Sequence, residues 1–399
     1  MKCLISFFFL IGQSGAALAC DEKPTTTSAV YLCLLEKHPS LKALNYRSAE
    51  AEARLMAAEQ FPNPEIEVKS LVSGEKETEI ELLQPIEIGG RRSARKERAS
   101  AEGNLASVQD TSKIGEIAFQ AAESLTRLRQ LEQGLVLMGD AKVALTNIVK
   151  RLQAKRSLTP EDRTVLSLFR LYESTLLQKI KLHESERDSL NRMIESASGV
   201  SLSGINWQKE PRRIKWPSLS RSTESDLLEE RAAQAELAVA TAEAGQASGE
   251  AWPELSIGPT FKRLDETRQD NWGLKLNFTL PIWNLNGGAR AFSRSKIQQA
   301  EANLQAAKVV GKSSLASLHG AFEKAIVALE SAPKPGSLNK LVSESERQFA
   351  RGLIQPNALV EIYRSSLESL EVTNETELRA LRAYFQHETA LGLVPKELL

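Results

Sequence analysis

The run Asn271-Trp272-Gly273-Leu274-Lys275-Leu276-Asn277-Phe278-Thr279-Leu280 decides how this chain is read. Trp272, Leu274, Leu276, Phe278 and Leu280 fall on one face of an extended strand, while Gly273, Lys275, Asn277 and Thr279 fall on the other. Just upstream, Leu255, Ile257, Pro259 and Phe261 oppose Ser256, Gly258, Thr260 and Lys262 in the same way. A weaker pair of runs lies far earlier in the chain. There Ile66, Val68 and Val72 alternate with Glu65, Glu67 and Lys69, and Ile80 and Leu82 alternate with Glu79 and Glu81. Each run approaches the roughly 9–11 residues of a tilted transmembrane strand, although such a run alone also suits a half-buried strand of a soluble sheet.

The surroundings decide between those readings. Lys2, an apolar run from Leu4 to Ile11 and small residues ending in Ala17-Leu18-Ala19 predict a signal peptide over residues 1–19, hence export. No later stretch reaches the roughly 20 apolar residues of a membrane-spanning helix, so strands are the route left for crossing a bilayer. Four strands cannot close a barrel, and open edges are not tolerated in lipid. Other copies of the chain are therefore expected to complete the barrel. Cys20, directly after the cleavage site, suits a lipid anchor, or else a disulfide with Cys33 in an oxidising periplasm.

The chain is also written twice. Phe61-Pro62-Asn63-Pro64-Glu65-Ile66 is echoed by Trp252-Pro253-Glu254-Leu255, and Gln84-Pro85-Ile86 with Gly89-Gly90-Arg91 by Leu280-Pro281-Ile282 with Gly287-Gly288-Ala289-Arg290. Arg156-Ser157-Leu158 with Pro160 returns as Arg351-Gly352-Leu353 with Pro356, and Ser198-Gly199 as Leu391-Gly392, all about 195 residues apart. The first repeat is assigned to residues 20–210: strands about 64–72 and 77–88, a long helix about 90–155 and a return helix about 160–198. The second is assigned to 211–399: a helix about 222–250, strands about 254–263 and 271–282, helices about 288–332 and 337–351, and a return helix about 356–391. The absence of proline from Gly90 to Lys155 permits one helix of roughly 100 Å, whereas Pro333, Pro335 and Gly336 interrupt its second copy. Leu166, Phe169, Leu176, Leu177 and Ile180 recur at helical spacing and mark helix-on-helix packing. The predicted fold class is mainly α with a small β part, built from a duplicated unit of long antiparallel helical hairpins and β-hairpins.

Composition narrows the function. Fifty-one basic residues balance 51 acidic ones, which argues against a nucleic-acid partner. Four His, at 38, 183, 319 and 387, show no ligand spacing, and no nucleophile–base set or phosphate loop is present. Neither a metal, a cofactor nor an enzyme activity is expected. Met56, Met138 and Met193 read as packing residues. Arg91, Arg92, Arg95, Lys96 and Arg98 crowd a helix N-terminus, where the dipole disfavours cations. Two accounts remain for them, contact with lipid phosphates and a solvated face balanced by Glu97 and Glu102.

With these motifs assembled, the chain resembles the TolC family of outer-membrane efflux proteins. The resemblance runs from about Val30 to Leu391. It rests on His38-Pro39-Ser40-Leu41-Lys42-Ala43, Pro62-Asn63-Pro64-Glu65, Gln84-Pro85-Ile86-Glu87-Ile88-Gly89-Gly90-Arg91-Arg92-Ser93-Ala94-Arg95 and Arg351-Gly352-Leu353-Ile354. The compact length and the glycine-arginine block are most similar to the metal-cation efflux subfamily. The resemblance implies a homotrimer in the outer membrane, with four strands per chain completing a twelve-stranded barrel over a helical periplasmic tunnel. It implies a passive exit duct fed by a periplasmic adaptor and an inner-membrane pump, with outer-membrane lipid around the barrel. The same architecture serves type I protein secretion, which stays open as an alternative. A periplasmic coiled-coil adaptor fits less well, since it would show one helical hairpin and larger β domains.

The resemblance also supplies site expectations. Ser157, Leu158 and Thr159, and Gly352, Leu353 and Ile354, form the turns that dock the adaptor. Glu361 matches one acid of the pore gate, Ala358 stands where a second would be, and either Asp162 or Arg163 takes the gate position after the first turn. From strand alternation alone, Glu65, Glu67, Glu79 and Glu81 face the lumen and favour cations.

Overall fold

The computed structural model describes residue 20 and residues 24–71, 77–213, 215–220, 227–264, 269–334 and 336–395. The predicted signal peptide, Val72 and Pro335 lie outside them. Eight α-helices and four strands are described: α1 Thr27–Lys37, α2 Pro39–Glu59, β1 Glu65–Leu71, β2 Glu77–Ile86, α3 Arg91–Gln153 and α4 Pro160–Ser198 come first. Then follow α5 Leu228–Gly249, β3 Leu255–Leu264, β4 Gln269–Phe278, α6 Gly287–Glu330, α7 Ser337–Ala350 and α8 Pro356–Ala390. No described helix is long and apolar enough to cross a membrane. The fold is mainly helical with one small antiparallel sheet, as the sequence predicts.

The chain forms two compact units. One comprises residues up to Lys42, Lys113–Thr223 and Ser314 onward, and the other Ala43–Ser112 with Glu224–Ser313.

The first unit is built from helical hairpins. With 63 residues, α3 spans about 95 Å at 1.5 Å per residue. Its Met138, Leu145 and Ile148 meet Leu166, Phe169 and Leu176 of α4 and Leu359, Tyr363 and Leu367 of α8 in one buried cluster. Leu177, expected in this packing, is instead an exposed hydrophobic, because one residue turns about 100° around the helix and carries it off the buried face. Met138 packs as expected, but Met56 and Met193 are exposed. A second cluster gathers Val30, Tyr31, Leu125, Leu128, Ile194 and Phe385, and the Tyr31 hydroxyl donates to the Pro395 carbonyl at 2.7 Å. Cys20 and Cys33 are joined as a disulfide, their Cα atoms 5.4 Å apart, beside buried Val200.

The second unit carries the sheet, ordered β1-β2-β3-β4 with every neighbour antiparallel. Within it, the arginines that open α3 take up the ends of other helices. Arg95 donates to the carbonyls of Ala58 and Gln60, and Arg92 donates twice to that of Glu59, at the end of α2. Arg91 donates to the carbonyls of Gly249, the last residue of α5, and of Trp252 just beyond it. Helix C-termini leave carbonyls unsatisfied and carry partial negative charge, so these guanidiniums offset both. Arg91, Arg92 and Arg95 thus compensate two neighbouring helix ends, a partnership neither sequence-based account foresaw, while Arg98 pairs with Glu102 at 2.8 Å as the solvated-face account expects.

Candidate channel sheet and hairpin turns

The register sorts the sheet into two faces. Ile66 faces Leu82, Val68 faces Ile80, Ile80 faces Phe261, and Phe261 faces Trp272. One face is therefore apolar from edge to edge, and it is bare: Trp272 is 77% exposed, Leu274 75% and Ile66 70%. Eight such side chains (Ile66, Val68, Ile80, Leu82, Trp272, Leu274, Leu276 and Phe278) lie in the open, which in water forgoes on the order of 10 kcal/mol of burial. A patch of this extent marks a surface made to be covered by protein or lipid.

The opposite face carries the predicted acids, and all four lie together on it. Glu67 faces Glu81, Lys69 faces Glu79, and Glu65 faces Leu83. Two carboxylates set directly opposite would repel, and lysines intervene. Lys275 Nζ lies 2.7 and 2.6 Å from the two Glu81 oxygens, and Lys69 Nζ lies 3.4 Å from Glu67 and 3.7 Å from Glu81. Glu77 shares this face and pairs with Lys262. Sequence reading missed it because it stands beside the β1–β2 link, where the alternation has only just begun. Among the described strand residues the face thus holds five glutamates against three lysines.

Between β2 and β3 the two backbones come unusually close. A Cβ on Gly258 would sit 1.7 Å from the Leu82 carbonyl oxygen and 2.8 Å from its carbon. Pro259 next to it has no N–H to give a ladder. Pairing accordingly skips from Glu81↔Thr260 to Gln84↔Ile257.

The hairpin turns belong to the other unit. At the first, Thr159 caps α4: its hydroxyl accepts from Asp162 N at 3.1 Å, and Asp162 Oδ2 accepts from Thr159 N at 3.2 Å. Lys155 Nζ reaches Asp162 Oδ1 at 2.8 Å and, with the Thr159 bonds, holds this carboxyl below the usual aspartate range. Asp162, one of two candidates for the gate, is thus taken up by a capping box, whereas Arg163 is exposed. Ser157 is exposed and Leu158 tucks against the hairpin core.

At the second turn Gly352 adopts φ 74, a left-handed conformation that strains a residue with a Cβ. Gly352 N donates to Phe349 O at 2.9 Å and Leu353 N to Gln348 O at 3.0 Å, the paired bonds of a Schellman stop. Ile354 packs inward while Leu353 is 69% exposed. Glu361, in the second turn of α8, is exposed; Arg364 lies 3.2 Å from it on the same helix.

No family model matches the chain. It is 27% identical over 274 residues to the cobalt-zinc-cadmium resistance protein CzcC of Cupriavidus metallidurans, a match covering 66% of this chain and 65% of that relative. The matched part therefore spans a little under two thirds of the curated relative. Structural likeness extends further. The open state of the MtrE outer-membrane channel of Neisseria gonorrhoeae matches with a TM-score of 0.71 at 14% identity, over 92% of this chain and 89% of that one. The fold is that of the TolC-family outer-membrane channels. The outer-membrane protein VceC of Vibrio cholerae agrees with it, at TM-score 0.62 and 14% identity over 92% of this chain and 95% of that one.

Proposed function

We propose that the chain is the outer-membrane exit duct of a tripartite efflux system, passively passing substrate outward from a periplasmic adaptor and an inner-membrane pump. The observation that carries this reading is the four-stranded sheet, apolar and exposed on one face, charged on the other, with β1 and β4 as edges that bond no further strand among the described residues. Lipid can cover the apolar face, but no lipid satisfies the N–H and C=O groups of an open edge. Each edge strand therefore pairs with the opposite edge of another copy, and three copies give a twelve-stranded barrel. The duplicated halves, 20–210 and 211–399, each contribute one hairpin of strands.

Within this reading the polar face lines the lumen, Glu361 lies at the pore mouth, and the exposed parts of the two turns, Ser157 and Leu353 among them, meet the adaptor. Asp162 serves its helix cap, which leaves Glu361 as the acid that faces the opening. Cys20 serves as a cross-link rather than a lipid anchor, since a sulfur in a disulfide has no thiol left to form a thioether to lipid. The likeness to a cobalt-zinc-cadmium resistance protein supports metal cations as the exported class. Mass measurement of the detergent-extracted protein tests the assembly. A trimer is expected, and a stable monomer with a folded sheet would refute the reading.

A further inference from the structure

A cleft of about 430 Å³ lies in the unit built from the helical hairpins, between α1, α3, α8 and the segment that follows the first repeat. Nothing in the channel reading uses it. Its lining holds four cations, Arg129, Arg212, Arg213 and Lys215, and two carboxylates, Glu210 and Glu377. Both carboxylates are engaged. Glu377 accepts from Arg129 Nη2 and from Gln130 Nε2 at 2.8 Å, and Glu210 accepts from Thr27 N at 3.3 Å and Thr27 Oγ1 at 3.1 Å. Cations outnumber carboxylates in the lining by two.

The donors around it are more telling than the charge. Seven buried side-chain atoms find no hydrogen-bond partner among the described residues, and three of them belong to residues lining this one cleft. These are Arg129 Nε, Arg212 Nε and Trp216 Nε1, and every one is an N–H donor. An unpaired buried donor is costly, and three around one cleft ask for a shared acceptor. Arg129 is only 6% exposed, so its Nε has no recourse to bulk solvent. Burial, opposed by Glu377 and reinforced by Arg129, also lowers the proton affinity of Arg212, so a negative charge placed here is favoured.

The site is built in advance of any ligand. The segment bearing Arg212 and Arg213 is fastened to α3 through Gln133 Nε2, which donates to the carbonyls of Trp207 and Glu210 at 3.0 and 2.8 Å. Arg129 Nη1 adds a bond to the Pro211 carbonyl at 2.7 Å. A ligand arriving here need not order the arginines itself.

We propose that this cleft binds a phosphate-class dianion, either free inorganic phosphate or a phosphomonoester. A lining in which cations outnumber carboxylates favours an anion. Oxygens disposed tetrahedrally and able only to accept suit three donors on separate side chains better than the flat, singly charged carboxylate does. The proposal stands independently of the channel reading, because it concerns a cleft within one chain.

Titration calorimetry on the intact detergent-solubilised protein, at constant ionic strength made up with chloride, tests it. Inorganic phosphate is expected to bind saturably, one per chain, with acetate at least about tenfold weaker. Arg212 Nε finds no hydrogen-bond partner among the described residues, so Arg212→Gln is expected to keep the fold, checked by circular dichroism, and to weaken phosphate about tenfold or more. Trp216→Phe keeps the ring and removes one donor, with a loss of about threefold to tenfold. Glycerol 3-phosphate separates the sources: tenfold tighter binding than inorganic phosphate points to an esterified ligand, and equal binding points to the free ion. Absence of saturable phosphate binding, acetate binding as tightly as phosphate, or unchanged affinity in a folded Arg212→Gln protein would each overturn the proposal.

Discussion

Gly258→Ala is the sharpest test of the sheet. Gly258 is not among the glycines with positive φ, so the backbone itself would accept alanine. The obstacle is the partner strand. The new Cβ would lie 1.7 Å from Leu82 O, 2.8 Å from Leu82 C and 3.1 Å from Leu83 Cα, all of them backbone atoms that no rotamer change can move. Reaching an ordinary contact of about 3.4 Å requires β2 and β3 to part by roughly 1.7 Å, on top of a normal spacing of about 4.8 Å. Ladder bonds near 2.9 Å do not survive that displacement. The flanking pairs Glu81↔Thr260 and Gln84↔Ile257 are the first to be lost. At about 1 kcal/mol for each of two to four bonds, the cost is about 2–4 kcal/mol. Gly273→Ala is the matched control. Its Cβ would meet only Thr260 Oγ1, at 2.9 Å, a side-chain atom that can rotate away, so a cost below about 1 kcal/mol is expected. Urea unfolding of the detergent-extracted protein, followed by tryptophan fluorescence, reads both. Equal stability of the two variants would mean that β2 and β3 do not approach as described.

Three further outcomes are expected. Arg127 donates to Glu186 at 2.7 and 2.8 Å and holds its carboxyl below the usual glutamate range against the opposing effect of burial. That pair therefore stabilises fully above pH of about 4.5 and is lost as pH falls through the lowered value, so Glu186→Gln should flatten the acid limb of a melting-temperature profile; parallel limbs would show that the pair contributes nothing. Glu361→Ala should raise single-channel conductance in planar bilayers or weaken block by divalent cations, and an unchanged channel would return Glu361 to an ordinary surface charge. Replacing Glu65 and Glu79 with Gln removes the excess of two carboxylates on the polar face, so reversal potentials in dilute salt should shift away from cation preference; no shift would place those residues outside the conducting path.

The fold was legible where its physics is periodic, and the site was legible only in part. Strand alternation placed Ile66, Val68, Ile80, Leu82 and Trp272 on one face because a pleat allows no other arrangement once the register is set. The long α3 was legible through the lack of proline. The Thr159-x-x-Asp162 capping box is also a local signal, yet the carboxylate in it was weighed first as a gate residue. What sequence could not supply were partnerships across long separations. Arg92 meets Glu59 33 positions away, Arg91 meets Gly249 158 away, and Arg129 meets Glu377 248 away. A cluster of cations at a helix N-terminus looks misplaced until the C-termini of two other helices are seen against it. The glutamates make the same point. Glu81 is neutralised by Lys275, Glu186 is held by Arg127, Glu377 is buried with Arg129, and Glu361 is exposed, with Arg364 3.2 Å away on its own helix. Residue type sets what each can do, and the partner decides what it does. Acidic character in a lumen or at a gate must therefore be counted after pairing: the Glu361–Arg364 pair is exposed and screened by water, whereas Asp162 is taken up by its helix cap, so Glu361 carries more of the functional reading.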